Sequence, residues 1–161
     1  MYLTIIALGL VVCYFVLRFL FPFMFGGEIK PINRKSYYSM ILIFVLSIVV
    51  NFAVRYVPDI EIGNRILHAV GGGFLTFLLC FLVVRDGEYK IGKAQFFIFS
   101  LLIVVFLGVI NENIEFFLQH FFDYVAANSI DDTWLDLVSN SLGALIASLC
   151  FVPFINSKKQ L

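Results

Sequence analysis

Five residues of this sequence have the types and spacing to do chemistry together: His68, Glu112, Glu115, Asp132 and Asp136. The four carboxylates sit at the ends of two strongly apolar runs. A carboxylate at the edge of a membrane span is costly to desolvate, so it needs a partner, a water-filled cavity or a task. Glu112 and Glu115 are three apart and share a helix face, with Gln119 four further on. Asp132, Asp136 and Asn140 are four apart, and Gly143 continues that stripe. Asn64, His68 and Gly72 make a third stripe. Carboxylates with one imidazole suit a divalent cation such as Mg, Mn, Ca or Fe. Such an ion would polarise a phosphate ester and activate water. His68, Glu112 and Glu115 are then the catalytic candidates, with His68 alternatively a general base. The metal set adds Asp132 and Asp136, and Asn64, Arg65, Gln119 and Asn140 would support it.

Plainer readings stand beside this one. Asp132, just before Thr133, could cap the helix that follows. Glu112 and Glu115 could be solvated at a helix end. His68 and Asn140 could be packing glue between helices. His120, Asp123 and Asp131 read as ordinary loop polar groups. Arg55 and Arg65 are the only bases expected near the cluster, so the protein's own bases should not neutralise it.

Lipid must be the solvent for the elements that position these groups. Of 161 residues, 61% are hydrophobic and 14% charged, and the mean hydropathy is +1.00. Soluble domains carry roughly 25% charged residues. A formal net charge of zero gives no bulk attraction to nucleic acid. Cys13, Cys80 and Cys150 each fall inside an apolar run, match no metal or redox spacing, and read as small buried hydrophobes. Two histidines exclude a three-histidine site.

The expected fold is all-α, a polytopic membrane protein with a bundle of five transmembrane helices in one domain over residues 1–161. The spans fall at about 2–25, 38–57, 66–84, 94–118 and 134–155, each near the 20 residues that cross a bilayer core. The first lacks a basic start and a small-residue cleavage site, so it does not read as a removable signal. Arg18 within it is expected to snorkel to the interface. The three glycines Gly71, Gly72 and Gly73 predict close helix approach.

Charge sets the expected orientation. Lys30, Arg34, Lys35, Arg85, Lys90, Lys93, Lys158 and Lys159 share one side, and Arg55 and Arg65 the other. Basic loops stay cytoplasmic. The N-terminus is therefore expected outside and the C-terminus in the cytoplasm of a bacterial-type inner membrane. Tyr56, Tyr124 and Trp134 would mark the outer interface, and Tyr37, Tyr38 and Tyr89 the inner one. His68 and all four carboxylates then share the outer side. The inner half, with Asn51, Thr76 and Ser148 as its polar residues, looks dry.

The run Asn64-Arg65-Ile66-Leu67-His68, then Glu112-x-x-Glu115, then Asp132-Thr133-x-x-Asp136, resembles the YjdF-type inner-membrane proteins. Asp136-x-x-x-Asn140-x-x-Gly143 also resembles the related VanZ-like proteins. The likeness covers roughly residues 60–150, with Asn64 at the first acidic position of the family's histidine motif. VanZ-like proteins are associated with glycopeptide tolerance, which implies a ligand at the outer leaflet or wall. The functional expectation is an outward-facing carboxylate and histidine site that binds or acts on a membrane lipid headgroup or a lipid-linked envelope precursor. Its enzymatic form would be a metal-dependent hydrolase or transferase at a phosphate ester. A cation- or proton-coupled transporter and a non-catalytic partner subunit are the alternatives.

Overall fold

A computed structural model describes residues 2–25, 28–122 and 130–155. Asp123, Tyr124, Lys158 and Lys159 lie outside the described residues. The chain forms α1 (Tyr2–Phe25), α2 (Arg34–Val54), α3 (Ile60–Ile66), a π-helical stretch (Leu67–Phe74), α4 (Leu75–Gly87), α5 (Lys93–Phe122) and α6 (Ile130–Phe151). A 3-10 turn, Val152–Phe154, follows. The fold is all-α, and five helices are long and apolar enough to cross a membrane, with α3, the π stretch and α4 forming one continuous span, Ile60–Gly87.

The helix ends differ from the expected ones because polar caps admit polar first turns. Asn33 accepts a hydrogen bond from the Ser36 backbone N–H at 3.0 Å, so α2 starts at Arg34, ahead of the apolar run. Asp59 caps α3 through the Ile62 N–H at 3.0 Å, which draws Asn64 and Arg65 into the third span. α5 runs on to Phe122, so His120 is helical and not a loop group. It is exposed and stacked on Phe116 at 5.7 Å. α6 starts at Ile130. Asp132 therefore lies inside the first turn and does not cap it.

Lipid offers no hydrophobic drive between helices, so close packing has to hold them together. The closest approach is between the π stretch and α6. A Cβ on Gly143 would overlap the Ala69 carbonyl oxygen, and one on Gly73 would overlap that of Asn140. Gly72 makes room for the Asn140 side chain, and Gly108 of α5 lies against the same amide. The middle of the bundle is mostly apolar: Ile43, Phe77, Leu79, Val83 and Val104 are all buried, beside the hydroxyls of Ser47, Thr76 and Ser100. Phe and Leu side chains such as Phe106, Leu102, Leu142 and Leu149 face outward.

The opposite end of the bundle is not dry. Arg18 does not snorkel; it is 1% exposed. Pro22 has no N–H to return to the Arg18 carbonyl, four residues back. The Tyr89 hydroxyl donates to that carbonyl instead, at 3.0 Å. Tyr89 is thus a half-buried structural tyrosine and not a lipid-facing one. Burial pushes its phenol pKa up. Asp86, 1% exposed, accepts from the Tyr14 hydroxyl at 2.7 Å and from Arg85 Nε at 2.9 Å. Lys30 and Glu88 pair at 3.0 Å on the surface, and the bond from Lys30 holds the Glu88 carboxyl below its ordinary range. Of the three cysteines, Cys80 is buried, Cys13 half-buried and Cys150 exposed, so the third departs from the expected burial.

Candidate functional site

The third span, α5 and α6 bring His68, Glu112, Glu115, Asp132 and Asp136 to one end of the bundle, but in two groups. The capped start of α3 puts Asn64 and Arg65 one turn before His68, on the face that meets α6. There the Arg65 guanidinium forks over both aspartates: Nη1 bonds Asp136 Oδ1 and Nη2 bonds Asp132 Oδ1. Nη1 also donates to the Asp132 carbonyl at 3.1 Å. Asn64 Nδ2 donates to both oxygens of Asp136, at 3.2 and 3.3 Å. His68 Nε2 lies 3.4 Å from Asp136 Oδ2. Asp136, 2% exposed, is thus met by a guanidinium, an amide and an imidazole.

The second group is His68 with Glu112 and Glu115. One ligand atom from each lies within 4.8 Å of the others. Glu115 is held by Asn111 Nδ2, which donates to its Oε1 at 2.7 Å from one turn earlier. Glu112 is 8% exposed, and its Oε1 is buried without a hydrogen-bond partner. An orphaned carboxylate oxygen in a nearly dry place is costly. With the carboxylates ionised, four negative charges face one guanidinium, and Arg55 is exposed away from the site. A divalent cation among His68, Glu112 and Glu115 would answer both the charge and the orphaned oxygen. The donor set, two carboxylates and an imidazole, fits such an ion and leaves coordination positions open for a ligand.

The remaining candidates frame these groups. Gln119, exposed, stands one turn beyond Glu115 toward the helix end. Asn140 lies one turn below Asp136, 3% exposed, between Gly72 and Gly108, and its Oδ1 has no partner. Asp131 is exposed at the start of α6, away from the clustered ligands. The π-helical geometry around His68 had no signature in the sequence beyond the three glycines. It shows in the Leu75 N–H, which returns to the Val70 carbonyl five residues back. Single π turns recur at functional sites because they re-aim side chains.

Sequence reasoning overlooked the cluster at the far end. Arg18 reads from the sequence as a snorkelling residue, and Asp86 beside Arg85 carries no mark of burial. The available signal was Tyr14 and Arg18, four apart on one helix face, on the side where Asp86 ends another span.

Fold and site together define a polytopic helical membrane protein with a buried polar cluster at each end. The chain belongs to the family described as "Predicted membrane protein (DUF2238)", whose profile matches residues 3–157. No curated protein and no solved structure matches it.

Proposed function

We propose that His68, Glu112 and Glu115 hold one divalent cation at the membrane edge, and that the site binds or acts on the phosphate of a lipid headgroup or lipid-linked envelope precursor. The observation that carries this reading is the convergence of one ligand atom from each of the three side chains to within 4.8 Å, with a Glu112 oxygen buried and unpartnered. Among Mg, Mn, Ca and Fe, the imidazole favours Mn or Fe. A divalent ion there would supply Lewis acidity toward a phosphate ester, in a hydrolase or transferase reaction. The rim around it is acidic, so a phosphate needs the ion in order to approach.

The residues around the ion have separate tasks in this reading. Asp136 orients the His68 ring, as second carboxylates do for metal-bound histidines. Arg65 keeps Asp132 and Asp136 from competing for the ion, so those two aspartates act as supports and not as ligands. The finer kinship to YjdF-type and VanZ-like proteins rests on Glu112-x-x-Glu115 and on Asp132-Thr133-x-x-Asp136-x-x-x-Asn140-x-x-Gly143. The basic loops favour an inner-membrane placement with this site on the outer side.

A cation or proton pathway is the second reading, since intramembrane acids and histidine suit relays. The two polar clusters favour it, and the apolar middle of Phe77, Leu79 and Val83 weighs against it. The test is phosphate release from a panel of lipid phosphate esters by purified protein with Mn(II). Loss of about 100-fold or more in Glu115→Ala and His68→Ala, with the fold intact, is expected. Full activity in Glu115→Ala refutes a catalytic site. Ion flux in proteoliposomes without turnover would favour the pathway, and loss of stability alone would favour a non-catalytic subunit.

A further inference from the structure

The cluster at the far end poses a charge problem that the chain does not solve itself. Arg18 is 1% exposed, yet among the described residues its guanidinium makes only two hydrogen bonds, to the carbonyls of Pro31 and Asp86, both at 3.4 Å. Nε and Nη1 are buried without an acceptor. Asp86, the one buried carboxylate nearby, has its Oδ2 taken by Tyr14 and its Oδ1 by Arg85. The Tyr89 ring, 5.2 Å from the guanidinium carbon, offers a π face and no hydrogen-bond acceptor of ionic strength. Buried cations need paired, hydrogen-bonded counter-charges. Surface charge around the cluster adds to the deficit. Lys30 and Lys35 both act on Glu88, and Glu88 carries the surface carboxylate that faces them.

We propose that Arg18 is the buried anchor of an anion site at this end of the bundle, and that its ligand is a phosphate group. A phosphate presents several acceptor oxygens to a planar guanidinium fork, which a chloride cannot. Arg85 and the exposed Lys30–Glu88 pair lie at the same end of the bundle. Entry of the phosphate displaces Glu88 from Lys30 and leaves the guanidinium where it lies, with Nη1 against Gly87. Two sources supply this chemistry: an anionic phospholipid headgroup at the adjacent leaflet, and free inorganic phosphate. The site is about 25 Å from His68 along the third span and stands independently of the cation reading.

The test uses the full chain in nanodiscs of phosphatidylcholine mixed with phosphatidylglycerol, with native mass spectrometry of retained lipid. A parallel thermal melt in detergent compares inorganic phosphate with chloride at equal ionic strength. The expected result is at least tenfold enrichment of phosphatidylglycerol, or a rise in melting temperature specific to phosphate. The first identifies a lipid source and the second a free one. Arg18→Gln should abolish whichever effect is seen, while Lys90→Gln, which removes an exposed charge of the same end, should keep it. Gly87→Ala provides a variant of unchanged charge, because the added Cβ overlaps Arg18 Nη1. It too should lose the effect. Neither enrichment nor phosphate-specific stabilisation in the wild type, or equal effects in Arg18→Gln, would overturn the proposal.

Discussion

Among the described residues, the end that holds His68 has two basic side chains against seven acidic ones, and the end that holds Arg18 has seven basic against three acidic. Each end buries groups of its majority sign and partly answers them with the minority. At the acidic end, Arg65 takes two aspartates and leaves two glutamates beside a histidine. At the basic end, Asp86 takes Tyr14 and Arg85 and leaves Arg18. The residue left over differs in kind, and so does the ligand it calls for: a cation at one end and an anion at the other. The middle between them is mostly apolar, with Leu79, Phe77 and Val83 buried, and its buried polar side chains, such as Thr76 and Ser100, are uncharged.

The largest effect is expected where the helices touch. Gly143→Ala should weaken only the acidic end, because its Cβ meets the Ala69 backbone and a carbonyl cannot swing away as a side chain can. A loss of about 3 kcal/mol is expected from the forced backbone shift, read as a lower denaturant midpoint in mixed micelles. Arg65→Ala should come next. It leaves Asp136, 2% exposed, without its cation. A partly solvated Arg65 reduces the cost below that of a fully buried pair, to about 2 kcal/mol. Asp136→Asn in that background should recover part of the loss, which sharpens the assignment of Arg65 as an internal counter-charge.

Smaller effects belong to the basic end. Tyr89→Phe removes the hydroxyl that serves the carbonyl freed by Pro22, and should cost about 1 kcal/mol. Lys30→Gln should leave the melting temperature unchanged, because its pair with Glu88 is exposed. Its mark is in titration. The Glu88 carboxyl is held low by Lys30, so the pair contributes above the ordinary carboxylate range and is lost as pH falls through the lowered value. Carboxyl-carbon NMR of Glu88 should move back toward its ordinary pKa in Lys30→Gln.

Five spans were legible because each is an unbroken apolar run, and such runs have few other uses. Their ends were less so. Asn33 and Asp59 start helices whose first turns hold Arg34, Lys35 and Glu61, and the second of them carries Arg65 in its last turn, all residues that hydropathy assigns to loops. That error hid how far Arg65 reaches along the third span. The polar stripes at i and i+4 placed Asn64, His68, Asp136 and Asn140 on facing surfaces, and the glycines predicted close approach. The division of the acids between Arg65 and His68 depends on side-chain direction, which spacing alone does not encode. Arg18 shows the same limit. Whether a mid-span arginine reaches for water or stays buried depends on Gly87, 69 positions away, leaving room for it.

A cation held by His68, Glu112 and Glu115 is the ligand that the acidic end calls for. Mn(II) electron spin-echo spectroscopy of the purified protein tests it most directly, because it reads both the number of bound ions and the nitrogen beside them. One ion per chain is expected, modulated by a single imidazole nitrogen. That modulation should vanish in His68→Ala, persist in His120→Ala, and disappear along with the ion in Glu112→Gln. A protein that binds no ion, or an ion whose spectrum is indifferent to His68, would contradict it.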